Sequence, residues 1–296
     1  MTKQTFLTLA LSMLGVAAMA QPRSASEPTL LIKSSQGLMA PVWSPSGDKI
    51  AVTSDNYDGI WVADADGSNL RQVTDCSGAG YKMQWSADGT KLLGRTNVVS
   101  DNRVFHEVKV WNAADGAETT LVGNDAERVM ISGERGASSV NTRSLKRTAA
   151  TTADVYTMMV NDPAGVADKV ASLKEFSGAI IINPALSHDG KRVAFQVPGK
   201  GIFTCNSDGS GVAYLCKGSH PAWLPDNSLI YTVVTDNGES FTGSDIYAVD
   251  VATGKAVLLT ANTDMIPLTP AVTRDGKRVA FENAKDACIY EITLKY

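Results

Sequence analysis

The chain has 296 residues, 27 basic against 31 acidic, a formal net charge of −4 and 44% hydrophobic content. A mildly acidic chain without a basic run excludes a nucleic-acid partner, because binding phosphates needs clustered Lys and Arg. Its length suits one large all-β domain or two ordinary ones.

The first twenty residues, MTKQTFLTLALSMLGVAAMA, join a basic Lys3, an apolar stretch from Phe6 to Ala18 and small residues at Ala18 and Ala20. That is the pattern of a secretory signal peptide cleaved after Ala20. The apolar stretch is shorter than the roughly 20 residues that cross a bilayer as a helix, and nothing later in the chain is apolar enough to span. Export to the periplasm or beyond the cell is expected. Residues 21–28 read as a short linker.

From residue 29 onward the chain repeats itself. PVWSPSGDKIAV at 41–52 returns as MQWSADGTKLLG at 83–94, PALSHDGKRVAF at 184–195 and PAVTRDGKRVAF at 270–281. Each copy holds two apolar runs of strand type around a polar Asp/Gly/Ser turn, which predicts a β-hairpin. WLPDNSL from 223 is a further copy, and NTRSLKR from 141 is a weaker one that has lost its Gly. A second hairpin follows each, with turns DADGSN at 64, NAADGA at 112, NDPAGV at 161, NSDGSG at 206 and DVATGK at 250. Each unit is thus a meander of four strands, a to d, with the length of a β-propeller blade. Blades stacked around an axis bury both apolar faces of each sheet. Trp43, Trp85 and Trp223 recur at the end of strand a and are predicted to pack between blades.

The last copy ends after CIYEITLKY, one strand short, and TLLIKSS at 29–35 is available as the missing outer strand. Closing the ring in this way removes free sheet edges. The predicted fold is an all-β, six-bladed β-propeller of four-stranded antiparallel blades over residues 29–296, closed by an N-terminal outer strand and monomeric.

The repeated element P-x-W-S-x-D-G-K/R-x-[IVL]-A-[FV] resembles the repeat of TolB-like propellers, relatives of the WD-repeat class. The resemblance implies six blades and a periplasmic or secreted protein; TolB members join an envelope complex with a peptidoglycan-associated lipoprotein. TolB also carries an additional N-terminal domain, whereas here the repeats begin almost at the predicted cleavage point.

Strand order assigns the faces. Connections d to a and b to c open on one side of the disc, the top; turns a to b and c to d lie on the bottom. DADGSN falls on the bottom and lacks a Glu at its twelfth position, so it reads as a turn and not a calcium loop. His106 and His220 fall on top and His188 in a bottom turn, so the three do not converge. With no Cys/His metal spacing either, neither metal nor cofactor is expected. The four cysteines, 76, 205, 216 and 288, permit two disulfides. The NSDGSG hairpin sets Cys205 opposite a residue near Val212, out of reach of Cys216, so these two are predicted not to be joined.

No G-x-S-x-G element is present, and the top-face acids Asp55, Asp58, Asp101, Asp154, Asp236 and Glu239 read as solvated loop residues. Long top connections are expected at 97–107, 124–139 and 234–244. Candidate contacts on this face are Tyr57, Tyr81, Lys82, Arg103, Phe105, His106, Lys200, His220 and Phe241, a mixture of aromatic and charged groups suited to binding. These features predict a noncatalytic envelope scaffold that binds a protein or peptide. The alternative is a carbohydrate-active enzyme, a polysaccharide lyase or glycoside hydrolase, or a glycan-binding protein, with its site at the top mouth of the channel.

Overall fold

The computed structural model describes residues 21–100, 102–122, 170, 174–176, 179–261 and 263–296. Two short strands, β1 (Ser24–Ala25) and β2 (Thr29–Ile32), precede the repeats. Blade 1 comprises β3 (Met39–Trp43), β4 (Lys49–Thr53), β5 (Ile60–Asp64) and β6 (Arg71–Thr74). Blade 2 comprises β7 (Gln84–Trp85), β8 (Lys91–Ser100), β9 (Arg103–Asn112) and β10 (Glu118–Val122). Blade 3 holds β11 (Ile182–Leu186), β12 (Arg192–Val197), β13 (Gly201–Asn206) and β14 (Ala213–Cys216). Blade 4 holds β15 (Ser219–Trp223), β16 (Ser228–Asp236), β17 (Phe241–Asp250) and β18 (Ala256–Leu258). Blade 5 is built from β19 (Pro267–Val272), β20 (Arg278–Asn283) and β21 (Cys288–Lys295), with β1 and β2 added from the other end of the chain.

The architecture is an all-β propeller of antiparallel four-stranded blades. Its count among the described residues is five, not the expected six. The expected copy at 139–168 lies outside the described residues, as do the signal segment 1–20, the connection 124–139, Asp101 and Asp154. Strands a of successive blades touch one another, β11 with β15, β15 with β19 and β19 with β3, so they surround the axis.

Period-two alternation accounts for the core between blades. In β4, Ile50 and Val52 face blade 5 together with Trp43, Ala280 and Ile289, whereas Ala51 faces blade 2 with Met83, Trp85 and Trp111. Trp85 Nε1 donates to the Val42 carbonyl of the preceding blade at 3.0 Å, and Trp223 Nε1 donates to that of Ala185 at 2.8 Å. The tryptophans are therefore inter-blade residues, as their recurrence predicts. One face of blade 3 is covered from the preceding segment: Val170 and Phe176 bury against Val193, Phe195 and Cys205.

Ring closure follows the sequence and extends it. β2 pairs antiparallel with β21, Leu30 opposite Tyr290. Residues 21–28, read as a linker, are in part a strand, because β1 also pairs with β21 through Ser24 opposite Lys295. The four cysteines are free thiols, and the β13–β14 register sets Cys216 opposite Ile202, three residues from Cys205.

The bottom turns are self-contained. Ser44, Ser86, Ser187 and Thr273 each donate a hydroxyl to an Asp of the same turn, at 2.6 to 2.8 Å. These bonds hold the carboxylates ionised; that of Asp88 is pulled down to about 2, chiefly by Ser86. In DADGSN, Asp66 accepts from the Ser68 amide and Asp64 from Asn69 and Lys49, so both acids are consumed by the turn.

Candidate functional site at the channel mouth

The top ends of strands a share one backbone feature. Ala40, Lys82, Asn183, His220 and Thr269 stand at the same place in the five blades, three residues before the end of strand a. All five have left-handed φ, between 45° and 54°. In blades 1, 3, 4 and 5 a register shift falls at this residue, and a proline follows it. Proline steers its predecessor out of the right-handed helical region, and a bulge bends the strand and re-aims the side chain. For β-branched Thr269 this backbone is a true outlier of the kind found at functional sites.

A second ring lies beside the first. Thr53, Arg95, Gln196, Thr232 and Glu282 sit at equivalent places on strand b, each three residues beyond the one paired with the end of strand a. The backbone of the two rings repeats while their chemistry does not. Blade 2 contributes Lys82 and Arg95, blade 3 two amides, blade 4 a histidine and blade 5 a carboxylate.

Contacts tie these groups together across blades. Lys82 Nζ donates to Asn183 Oδ1 at 2.5 Å, which joins the inner edges of blades 2 and 3. Asn183 Nδ2 donates to Gln196 Oε1 at 2.9 Å, and the same oxygen accepts the His220 amide at 3.4 Å. The His220 Nδ1 atom is buried and has no hydrogen-bond partner among the described residues. Burial, with Lys82 adding to it, lowers the pKa of His220 to about 4, so the ring is neutral at physiological pH.

On the opposite arc, Glu282 is only 8% exposed. Its Oε2 accepts the Ala40 amide at 2.5 Å and the Thr269 hydroxyl at 2.9 Å. Burial raises its pKa, the two hydrogen bonds oppose this, and Asp55 raises it again. Asp55 and Tyr57 are held by a 3-10 turn, Asp55–Tyr57, in which Asn56 and Tyr57 both have φ of 60°. Tyr57 packs edge-on against Tyr81 at 4.9 Å between centroids, and the Arg95 guanidinium lies 5.6 Å over Tyr81.

A raised folded-state pKa means that the native protein holds this proton more tightly than the unfolded chain does. The stability it gives is complete below the unfolded value, near about pH 4, and is lost as pH rises through the folded value. Glu282→Gln, which keeps an acceptor for Ala40 and Thr269, should therefore melt at or above the wild type at pH 7 and lose that advantage near about pH 4. Thermal melts at the two pH values check this; a variant that melts lower at pH 7 contradicts it.

Of the sequence-derived candidates, the structure gathers Tyr57, Tyr81, Lys82 and His220 at the mouth. The others lie elsewhere. His106 is on β9 and not in a loop, with Nδ1 3.0 Å from Asn97 Oδ1. Arg103 and Phe105 belong to the same strand. Lys200 lies 6.0 Å over the Phe176 ring, against the covered face of blade 3. Phe241 opens β17 and is 51% exposed.

The expected long loops at 97–107 and 234–244 are instead long hairpins, β8–β9 and β16–β17, whose pairing runs to Ser100 opposite Arg103 and Asp236 opposite Phe241. Strands persist there because Val98, Val99, Val104, Val233 and Val234 favour them. Glu282, Arg95, Asn183 and Gln196 were missed. Aligning the repeats one position past the shared apolar run, where RVAF is followed by Glu282 and KIAV by Thr53, would have found the second ring.

No protein-family model and no curated protein matches the chain. Solved structures do. The β-propeller domain of Cps50 (Swd1) from Myceliophteria thermophila is similar at 12% identity with a TM-score of 0.55, over 92% of this chain and 99% of that one. The fold is that of a β-propeller. TolB from Acinetobacter baumannii matches at 14% identity and a TM-score of 0.36 over 89% of this chain, which spans 56% of the TolB chain. An oligogalacturonate lyase from Vibrio parahaemolyticus matches at 12% identity and a TM-score of 0.47, over 88% of this chain and 79% of that one. At such identities the likeness concerns the fold, and the chemistry has to be argued from the mouth.

Proposed function

We propose that this propeller is a noncatalytic scaffold that docks a protein or peptide partner over its top channel mouth, in the periplasm or outside the cell. One observation carries the reading: equivalent mouth positions bear Ala, Lys, Asn, His and Thr in one ring and Thr, Arg, Gln, Thr and Glu in the other. A fold that needed these positions only for packing would repeat them, as the bottom turns repeat their Ser/Thr and Asp. Aromatic and charged groups concentrated on one rigid surface suit a protein interface. The signal-type segment at 1–20 supports export, and no helix among the described residues is long and apolar enough to cross a membrane.

A second reading has its own observation. Burial, and then the charge of Asp55, drives Glu282 towards its acid form, the state that the general acid of glycoside hydrolysis needs, with Asp55 as the second carboxylate within electrostatic reach. Affinity capture from an envelope extract separates the two. The wild type should retain a discrete partner that a Tyr81→Ala, Lys82→Ala variant releases, while Tyr214→Ala, on outer strand β14, retains it. Capture of nothing, together with turnover of a glycan panel, would overturn the scaffold in favour of the enzyme.

A further inference from the structure

The carboxylate of Glu282 has an unusual position for a charge. It is nearly buried, it forms no ion pair among the described residues, and its two hydrogen bonds both fall on Oε2. Oε1 accepts no hydrogen bond among the described residues. A buried charge ordinarily sits beside an opposite one, because loss of its hydration costs several kcal/mol otherwise. The fold does not demand a carboxylate here, since Thr53, Gln196 and Thr232 fill the equivalent places in other blades. Among the described residues the charge that acts on it is negative: Asp55 raises its pKa further, and burial and Glu282 in turn raise that of the Tyr57 phenol. Asp55 and Tyr57 are fixed there by two successive left-handed residues. Acidic and aromatic groups grouped around one carboxylate oxygen left over are complementary to a cation.

The geometry distinguishes among cations. A guanidinium seeks two oxygens of one carboxylate in a planar fork. With Oε2 saturated by Ala40 and Thr269, only one oxygen remains, which suits the compact charge of an ammonium. We propose that Glu282, with Asp55 and Tyr57, seats a primary ammonium group presented as a lysine side chain of the protein partner, an assignment that rests on the mouth being the partner-binding site.

The test titrates the mature chain by NMR with four probes: Nα-acetyl-lysine methylamide, its arginine and norleucine counterparts, and the peptide Gly-Gly-amide, which carries only an α-ammonium. The lysine probe should give saturable shifts around Glu282 and Tyr57. The arginine probe should bind at least about tenfold more weakly, and norleucine not at all. Glu282→Gln, expected to melt no lower than the wild type, should lose at least about tenfold in lysine affinity. No saturable shift, equal binding of norleucine, or undiminished binding by the variant would overturn the site. Tighter binding of Gly-Gly-amide would overturn the assignment to a lysine side chain. If Glu282→Gln still captures the partner that the wild type captures, the ammonium seat fails while the scaffold stands. If the lysine probe binds but no partner is captured, the seat holds and the scaffold reading fails.

Discussion

Removing residues 21–36 should lower the melting temperature by about 10 °C or more. The removed segment contains β1 and β2, both paired with β21. Leu31 and Ile32 bury against Trp43, Ile50 and Ile289, at the seam between blades 5 and 1. A Cβ on Gly67 would lie 1.9 Å from the Leu31 carbonyl, which shows how tightly β2 is pressed on the turn of blade 1. Truncating a buried Leu or Ile to Ala alone costs about 2–5 kcal/mol. Each kcal/mol is about 2–4 °C for a domain of this size. The loss also leaves β21 as an open edge, which promotes association between copies. Circular dichroism melts and light scattering of residues 37–296 and of residues 21–296 check both effects. A melt within about 2 °C of the full chain would show that the N-terminal strands do not close the ring.

Gly80→Ala should destabilise the protein by roughly 3 kcal/mol, or about 6–12 °C, and disturb the mouth. Gly80 has no unusual φ; its constraint is space. A Cβ there would lie 2.0 Å from the hydroxyl and 2.2 Å from the Cβ of Thr53, which is fully buried at the end of β4. Thr53 is itself fixed, donating to the Gly59 carbonyl at 2.7 Å. The segment carrying Tyr81 and Lys82 must therefore move outward, which strains the Gly80 amide bond to the Tyr57 carbonyl and the packing of Tyr57 on Tyr81. Gly243→Ala is the control, since its Cβ would stop 3.0 Å from a rotatable hydroxyl of Thr235 and should change the melt by less than about 1 kcal/mol. Equal melts for the two variants would mean that the connection at 76–83 is not packed on blade 1 as the structure shows.

Much of the fold is legible because a blade cannot hide its apolar faces alone. The twelve-residue repeat locates the strand a–b hairpins, and the recurrence of Trp at the end of strand a marks the seam where its indole reaches the preceding blade. The incomplete last unit announces closure by TLLI. Where the reading stops short, the cause is local sequence giving two meanings. Polar VTDNGESF looks like loop, yet its flanks pair as a long hairpin. Residues 23–26 carry no strand pattern and are ordered by the edge that β21 offers them and by Ala25 packing on the core of blades 4 and 5.

The site is less legible still. Tyr57, Tyr81, Lys82 and His220 were reachable because the strand order places their connections on top. Glu282 was not, since in RVAFEN it looks like the solvated end of a strand. The sequence by itself determined the repeating blade, its register and its closure, because those depend on alternation and turn chemistry written within some forty residues. Only the tertiary structure decided which side chains share the mouth. Bulged strands from different blades converge there, and burial by neighbours distant in the chain raises the pKa of an ordinary glutamate.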